Sequence, residues 1–186
     1  MSAYVFFVEG FEETEGITTL DILRRGGIQA ASVSLEDSKT VVGGQGIKIE
    51  TDLLFKDLNY AEADLIVLPG GPGTHNYQKN PGFLDFVKTC AQAGKSVCAI
   101  CAAPTVLAGL NILEGKNATC YPAPPMIDIL KQNGAVYTES IVVKDGNVIT
   151  SSGPGTTPYF ALEIVKTVKG EEAANAVKQG FLLHLI

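Results

Sequence analysis

Short, nearly continuous apolar runs alternate with helix-length amphipathic segments along this chain: residues 4–8, then 13–25, then 29–35, and later 64–68, 81–93, 96–100 and 102–110. The short runs are rich in β-branched residues and lack the in-out alternation of a half-exposed strand. They therefore read as strands covered on both faces, and strand-helix alternation of this kind specifies a doubly wound α/β domain with a mostly parallel sheet. With 186 residues, 46% of them hydrophobic, the chain is large enough for one real core and too small for two ordinary domains, so residues 1–186 are expected to form one domain.

The first amphipathic segment carries Ile17, Leu20 and Leu23 at core spacing and is expected to stop at Gly26-Gly27. Asp145-Gly146, between the apolar residues 141–143 and 148–149, predicts a hairpin and hence a mixed sheet at one side. A strand ending near Tyr121 precedes a helix opened by Pro122-Ala123-Pro124-Pro125, and residues 156–168 and 171–183 predict the last two helices.

Ligands of such sheets bind at the C-terminal ends of the strands. Three glycine-bearing loops fall there: Glu9 to Glu15, Pro69-Gly70-Gly71-Pro72-Gly73-Thr74, and Ser151-Ser152-Gly153-Pro154-Gly155-Thr156. At the same edge, residues 96–100 stop at Cys101 and turn at once into a predicted helix, with small residues, Ala99 and Ala103, two positions to either side. That is the steric requirement of a nucleophile elbow. A thiol at a helix start is expected to have a lowered pKa, which makes Cys101 the candidate reactive group. Backbone N–H groups of the Gly70-Gly71 turn and of Ala102 are candidates to stabilise a developing oxyanion.

Competing motifs are weaker. No Lys-Ser or Lys-Thr follows the glycines, so a phosphate cradle is disfavoured. Cys98 and Cys101 have the C-x-x-C spacing, but Cys98 belongs to the strand and is expected to face another layer of the sheet. Cys90 and Cys120 complete no zinc set, and the two histidines, His75 and His184, have no assigned partner. Glu12 and Glu13 are explained as charges at a helix N-terminus, whereas Glu15 precedes a mostly uncharged run and can turn inward, where a dry carboxyl has a raised pKa and can donate a hydrogen bond to a thiolate.

The net charge of −6, with Arg24 and Arg25 as the only arginines, leaves no basic stripe for nucleic acid. The first residues read as a strand and not a signal peptide, no apolar run reaches the length of a membrane span, and four cysteines without an export signal point to reduced thiols in the cytoplasm.

Five ordered blocks, Glu9 to Glu15, Asp21 to Ile28, Leu68-Pro69-Gly70-Gly71, Ala99 to Pro104 and Ser152 to Thr156, resemble the ThiJ/PfpI superfamily, in the branch of the parkinsonism-associated DJ-one proteins and their bacterial relatives. The resemblance implies a flavodoxin-like three-layer sandwich and a homodimer with residues 13–25 at its interface. It further implies that Cys101 is the elbow cysteine, Glu15 its acidic partner, and the N–H groups of Gly71 and Ala102 the anion pocket. Tyr121 stands where eukaryotic members place a histidine, and a phenol with an ordinary pKa near 10 does not accept protons at neutral pH as an imidazole does. Gln45 stands about where those members contribute an arginine from the neighbouring subunit. The implied activity is cofactor-independent, metal-free chemistry on small reactive dicarbonyls or their early protein adducts, of glyoxalase or deglycase type. The alternative is an oxidative-stress sensor, or a chaperone-like protein, whose Cys101 oxidises to sulfinic acid. A cysteine peptidase is disfavoured, because the peptidase branches place a histidine where this chain has Ala102.

Overall fold

A computed structural model describes residues 2–185; Met1 and Ile186 lie outside the described residues. In chain order the elements are β1 (Ser2–Phe7), α1 (Glu13–Arg25), β2 (Gln29–Ser34), β3 (Thr40–Val42), β4 (Lys48–Glu50), β5 (Leu53–Leu54), β6 (Ala63–Leu68), α2 (Pro81–Gln92), β7 (Ser96–Ile100), α3 (Pro104–Gly109), β8 (Asn117–Ala118), α4 (Pro124–Gln132), β9 (Val136–Tyr137), β10 (Val142–Asp145), β11 (Val148–Ser151), α5 (Thr157–Lys169) and α6 (Glu171–Gly180). The main sheet runs β10-β11-β7-β6-β1-β2-β5. Every pairing in it is parallel except the β10–β11 hairpin, whose turn has Gly146 at φ +59°, a left-handed conformation that glycine adopts without strain.

Alternation along β1 divides the core. Tyr4 and Phe6 point into a layer with Phe83, Phe86 and Val87 of α2, where the Phe6 and Phe83 rings lie 4.9 Å apart. Ala3, Val5 and Phe7 point the other way, onto Ile22 and Leu23 of α1 and Phe160 and Ile164 of α5. This is the expected flavodoxin-like sandwich, and β1 lies at its topological switch point: the chain moves outward to β2 on one side and to β6, β7 and β11 on the other.

Several local expectations need correction. The packed face of α1 is Glu15, Gly16, Thr19, Ile22 and Leu23, while Ile17 is exposed and Leu20 only half-buried. Gly16 sets that face, since a Cβ there would come within 2.4 Å of the Phe7 ring. The strand expected to end near Tyr121 ends at Ala118, and the helix after the elbow begins at Pro104, not at residue 102. Among the described residues, no helix is long and apolar enough to cross a membrane.

Candidate active site

Four strand ends converge at the C-terminal edge of the sheet. The loop after β1 and the loop after β6 are stitched together by Glu12 N–H to Gly70 O at 2.9 Å and Gly73 N–H to Gly10 O at 2.8 Å. Contact this close tolerates no side chain on Gly71, at φ +106°, whose Cβ would lie 2.4 Å from Glu12 N, or on Gly73, whose Cβ would lie 1.9 Å from Glu9 O. The Cys101 N–H donates to Ser151 O at 2.9 Å, and Tyr121 N–H donates to Cys101 O at 2.8 Å. Between those bonds Cys101 sits at φ 64°, a left-handed conformation that costs a non-glycine residue about 1–2 kcal/mol. It is the strained corner that the spacing of Ala99, Cys101 and Ala103 predicts.

Glu15 is fully buried. Its Oε2 accepts the Gly70 N–H at 2.7 Å, its Oε1 is buried without a hydrogen-bond partner, and the Cys101 side chain lies close enough to the carboxyl to favour its charged form. Burial pushes the carboxyl up from 4.5 to about 7, against the pull of the Gly70 N–H and of Cys101. The N–H groups of Ala102 and Gly71 both lie near the Cys101 sulfur and favour its charged form. Gly70, Gly71, Ala102, Glu15 and Cys101 thus meet at one point.

The thiol itself departs from expectation. Burial, then the Glu15 charge and its hydrogen bond, push the Cys101 thiol well up, and the two N–H groups only partly offset this. The helix dipole gives little help, because α3 has six residues and starts three positions beyond the sulfur. Two acids facing each other in one buried site hold a single negative charge when the first has ionised, and the one that keeps its proton donates it to the other. Cys101 is only 8% exposed, although Cys90 at 3% and Cys98 and Cys120 at 0% are more completely buried. All four are free thiols. Cys98 packs in the same layer as Cys101, contrary to the expectation that it faces another.

Tyr121 is tied to the elbow by its backbone, and its ring is exposed, lying over Gly153, whose Cβ would meet Tyr121 Cδ2 at 3.4 Å. Gln45 is exposed on the β3–β4 turn and donates its N–H to Glu13 Oε1 at 2.6 Å; no contact joins it to Cys101 among the described residues. No group of three or more His, Cys, Asp and Glu side chains among the described residues is placed to hold a metal ion. Two residues of this neighbourhood were not legible as such. Glu12 reads as simple helix charging, but it caps α1 by accepting the Glu15 N–H at 2.6 Å and also anchors Gly70; the acidic pair at i and i+3 is the signal that could have shown it. Tyr77, fully buried in the 3-10 segment Pro72–Lys79, stands in a polar stretch that gives no such signal.

A family model described as the DJ-1/PfpI family matches residues 1–167. The chain belongs to this family, in its DJ-1 branch. It is 37% identical to the protein dj-1beta of Drosophila melanogaster, over 98% of this chain and 97% of that one. The crystal structure of Drosophila DJ-1beta superposes with a TM-score of 0.91, covering 97% of each chain. A glutathione-independent glyoxalase of Caenorhabditis elegans, DJR-1.2, is 37% identical over 91% of this chain and 89% of its own length. An oxidized DJ-1 of Toxoplasma gondii, 27% identical over 97% of each chain, superposes with a TM-score of 0.91.

Proposed function

We propose that this DJ-1 family chain is a cofactor-independent enzyme in which Cys101 and Glu15 act together on small reactive dicarbonyls such as methylglyoxal, or on the early adducts they form on proteins. The observation that carries the reading is the buried Glu15 carboxyl, held near neutrality against the Cys101 side chain. A group titrating near the working pH is present in both forms, which is what an acid that must next act as a base requires.

With Glu15 raised to about 7 and Cys101 raised further, the single charge of the ionised pair rests mainly on Glu15, and the reactive form is the minor tautomer in which the proton has passed to Glu15 and the charge to Cys101. The thiolate adds to the aldehyde carbon; as the carbon–sulfur bond forms, the carbonyl π pair moves to oxygen, which takes the Glu15 proton to give a hemithioacetal. The Gly71 and Ala102 N–H groups supply the donors for the charge as it passes from sulfur to oxygen. The carboxylate left on Glu15 removes the C1 hydrogen as a proton and returns it at C2, while the hydroxyl proton passes to the C2 oxygen. The product is a lactoyl thioester, and water hydrolyses it to lactate and the free thiol. Methylglyoxal and water become lactate and a proton, with no net oxidation. A glutathione-independent glyoxalase among the relatives supports the substrate class. Tyr121 is assigned no proton, and Gln45 and Tyr121 line the approach. A homodimer and a cytoplasmic setting belong to the same proposal.

The test is lactate formation from methylglyoxal by purified protein without glutathione. Cys101→Ala and Glu15→Gln are each expected to lower the rate about a hundredfold or more. Full activity in both variants overturns the reading.

A second reading, oxidation of Cys101 to sulfinic acid as a stress signal, is favoured by a specific observation: the least sealed of the four thiols is also the one beside two backbone N–H donors and a carboxylic acid that can hold an anionic oxygen.

A further inference from the structure

We propose that Tyr77 is a positioning residue of the Glu15–Cys101 pair: its hydroxyl fixes the peptide plane whose opposite edge presents the Gly70 N–H to Glu15. The inference rests on the reading of that pair given above. Tyr77 is fully buried, and its hydroxyl lies 2.9 Å from Phe6 O and 3.0 Å from Pro69 O. Those carbonyls sit near the C-terminal ends of β1 and β6, paired strands whose following helices pack on opposite faces of the sheet, so one O–H proton shared between the two carbonyls ties the strand ends together beneath the site.

In a trans peptide the C=O and the following N–H are coplanar and point in opposite directions. Pro69 C=O faces the Tyr77 hydroxyl, so the Gly70 N–H of the same plane faces away from it, where it meets Glu15 Oε2 at 2.7 Å. The next plane is held in the same manner: Gly70 C=O accepts the Glu12 N–H at 2.9 Å, and the Gly71 N–H on its other edge lies on the Cys101 side, where it favours the charged sulfur. Each of two consecutive peptides is therefore clamped on the side away from the reacting pair. Thr74 Oγ1 adds a bond of 2.7 Å to Gly71 O. Burial and the Glu15 charge raise the Tyr77 phenol well above its ordinary value, so it remains a neutral donor throughout the working range. Without the hydroxyl, the first plane is held only from the Glu15 side and is free to turn its N–H away.

The Gly70 N–H stabilises the carboxylate form of Glu15 and not the acid form. Its loss makes the carboxylate tautomer of the pair rarer and leaves the acid–thiolate tautomer as it was. The test is the rate of Cys101 alkylation by iodoacetamide against pH, followed by mass spectrometry at that residue, in the wild-type protein, Tyr77→Phe and Ser34→Ala. Phenylalanine retains the ring packed on Phe83, and Ser34→Ala removes a buried hydroxyl at the end of β2 that bonds to Ser38 O and Glu36 N and makes no bond to Glu15, Cys101 or Gly70. In Tyr77→Phe the midpoint is expected to move up by roughly half a pH unit or more, with a higher plateau, while Ser34→Ala follows the wild type. A folded Tyr77→Phe with the wild-type midpoint, or Ser34→Ala shifting equally, overturns the role of Tyr77 alone. A wild-type profile with no step near neutral pH overturns the acid–thiol pair as well. No dicarbonyl enters the assay, so loss of the substrate assignment leaves this result standing.

Discussion

The Cys101 N–H donates to Ser151 O at 2.9 Å while the residue itself sits at φ 64°. The parallel ladder between β7 and β11 therefore continues to the reactive position, and the left-handed turn is imposed on a cysteine by a backbone held at its strand side. Strain of this kind is stored where the surrounding structure over-determines it.

Relief of that strain gives the first prediction. Cys101→Gly is expected to abolish dicarbonyl turnover and to raise stability by up to about 1 kcal/mol, because glycine adopts the left-handed turn without penalty and only a small side chain is lost. Urea denaturation at pH 7 measures this, and a variant clearly less stable than wild type contradicts it.

The raised Glu15 carboxyl links stability to pH. Its value is about 7 in the folded chain against an ordinary 4.5, so between these limits the folded state binds a proton that the unfolded state has released. The contribution of Glu15 is fully present below pH 4.5 and is lost as pH rises through 7, a change on the order of 3 kcal/mol. Glu15→Gln removes the titration, so the stability of the variant relative to wild type is expected to rise across this window. Denaturation midpoints that run parallel from pH 4.5 to 7.5 would count against the buried acid.

Gly71→Ala is expected to cost several times the usual penalty for a glycine replacement, about 3 kcal/mol or more, since the new Cβ combines a φ of +106° with backbone at 2.4 Å. It also displaces the N–H at sulfur, so alkylation of Cys101 should slow in whatever fraction remains folded. Thermal unfolding and alkylation rate measured together check both effects; a variant of wild-type stability would show that the two loops are not in contact.

Exposure to mild peroxide should convert Cys101 to its sulfinic acid while Cys90, Cys98 and Cys120 remain reduced, because the latter three are more deeply sealed and have thiols raised by burial without a neighbouring anion pocket. Peptide mass spectrometry reads the outcome. Even oxidation of all four removes support for sensing.

The sandwich was legible because its determinants are local: continuous apolar runs require cover on both faces, and the elbow requires small residues two positions from the cysteine. Glu15 was legible for a related reason, as a charge leading into an uncharged run. The direction in which the Cys101 thiol shifts was not, since it depends on burial and on a carboxyl brought from another loop, neither of which is written in the spacing around residue 101. The packed face of α1 was misread for a physical reason as well. Of the large residues at 17, 20 and 23, Leu23 is packed as expected and Leu20 is half-buried, but Ile17 is exposed, because close approach to Phe7 selects the face that carries Gly16, where a small residue marks the contact. Tyr77 illustrates the remaining limit: a hydroxyl that ties together the ends of two neighbouring strands is defined by tertiary structure alone.

Glu12 uses its side chain to cap α1 and its own N–H to hold Gly70. The opening turn of the helix and the donor loop consequently share one joint, and fraying of that turn disarms the chemistry at the same moment. Competence of this protein is thus expected to require that turn to be wound, so that its opening alone would disarm the pair with the sheet intact.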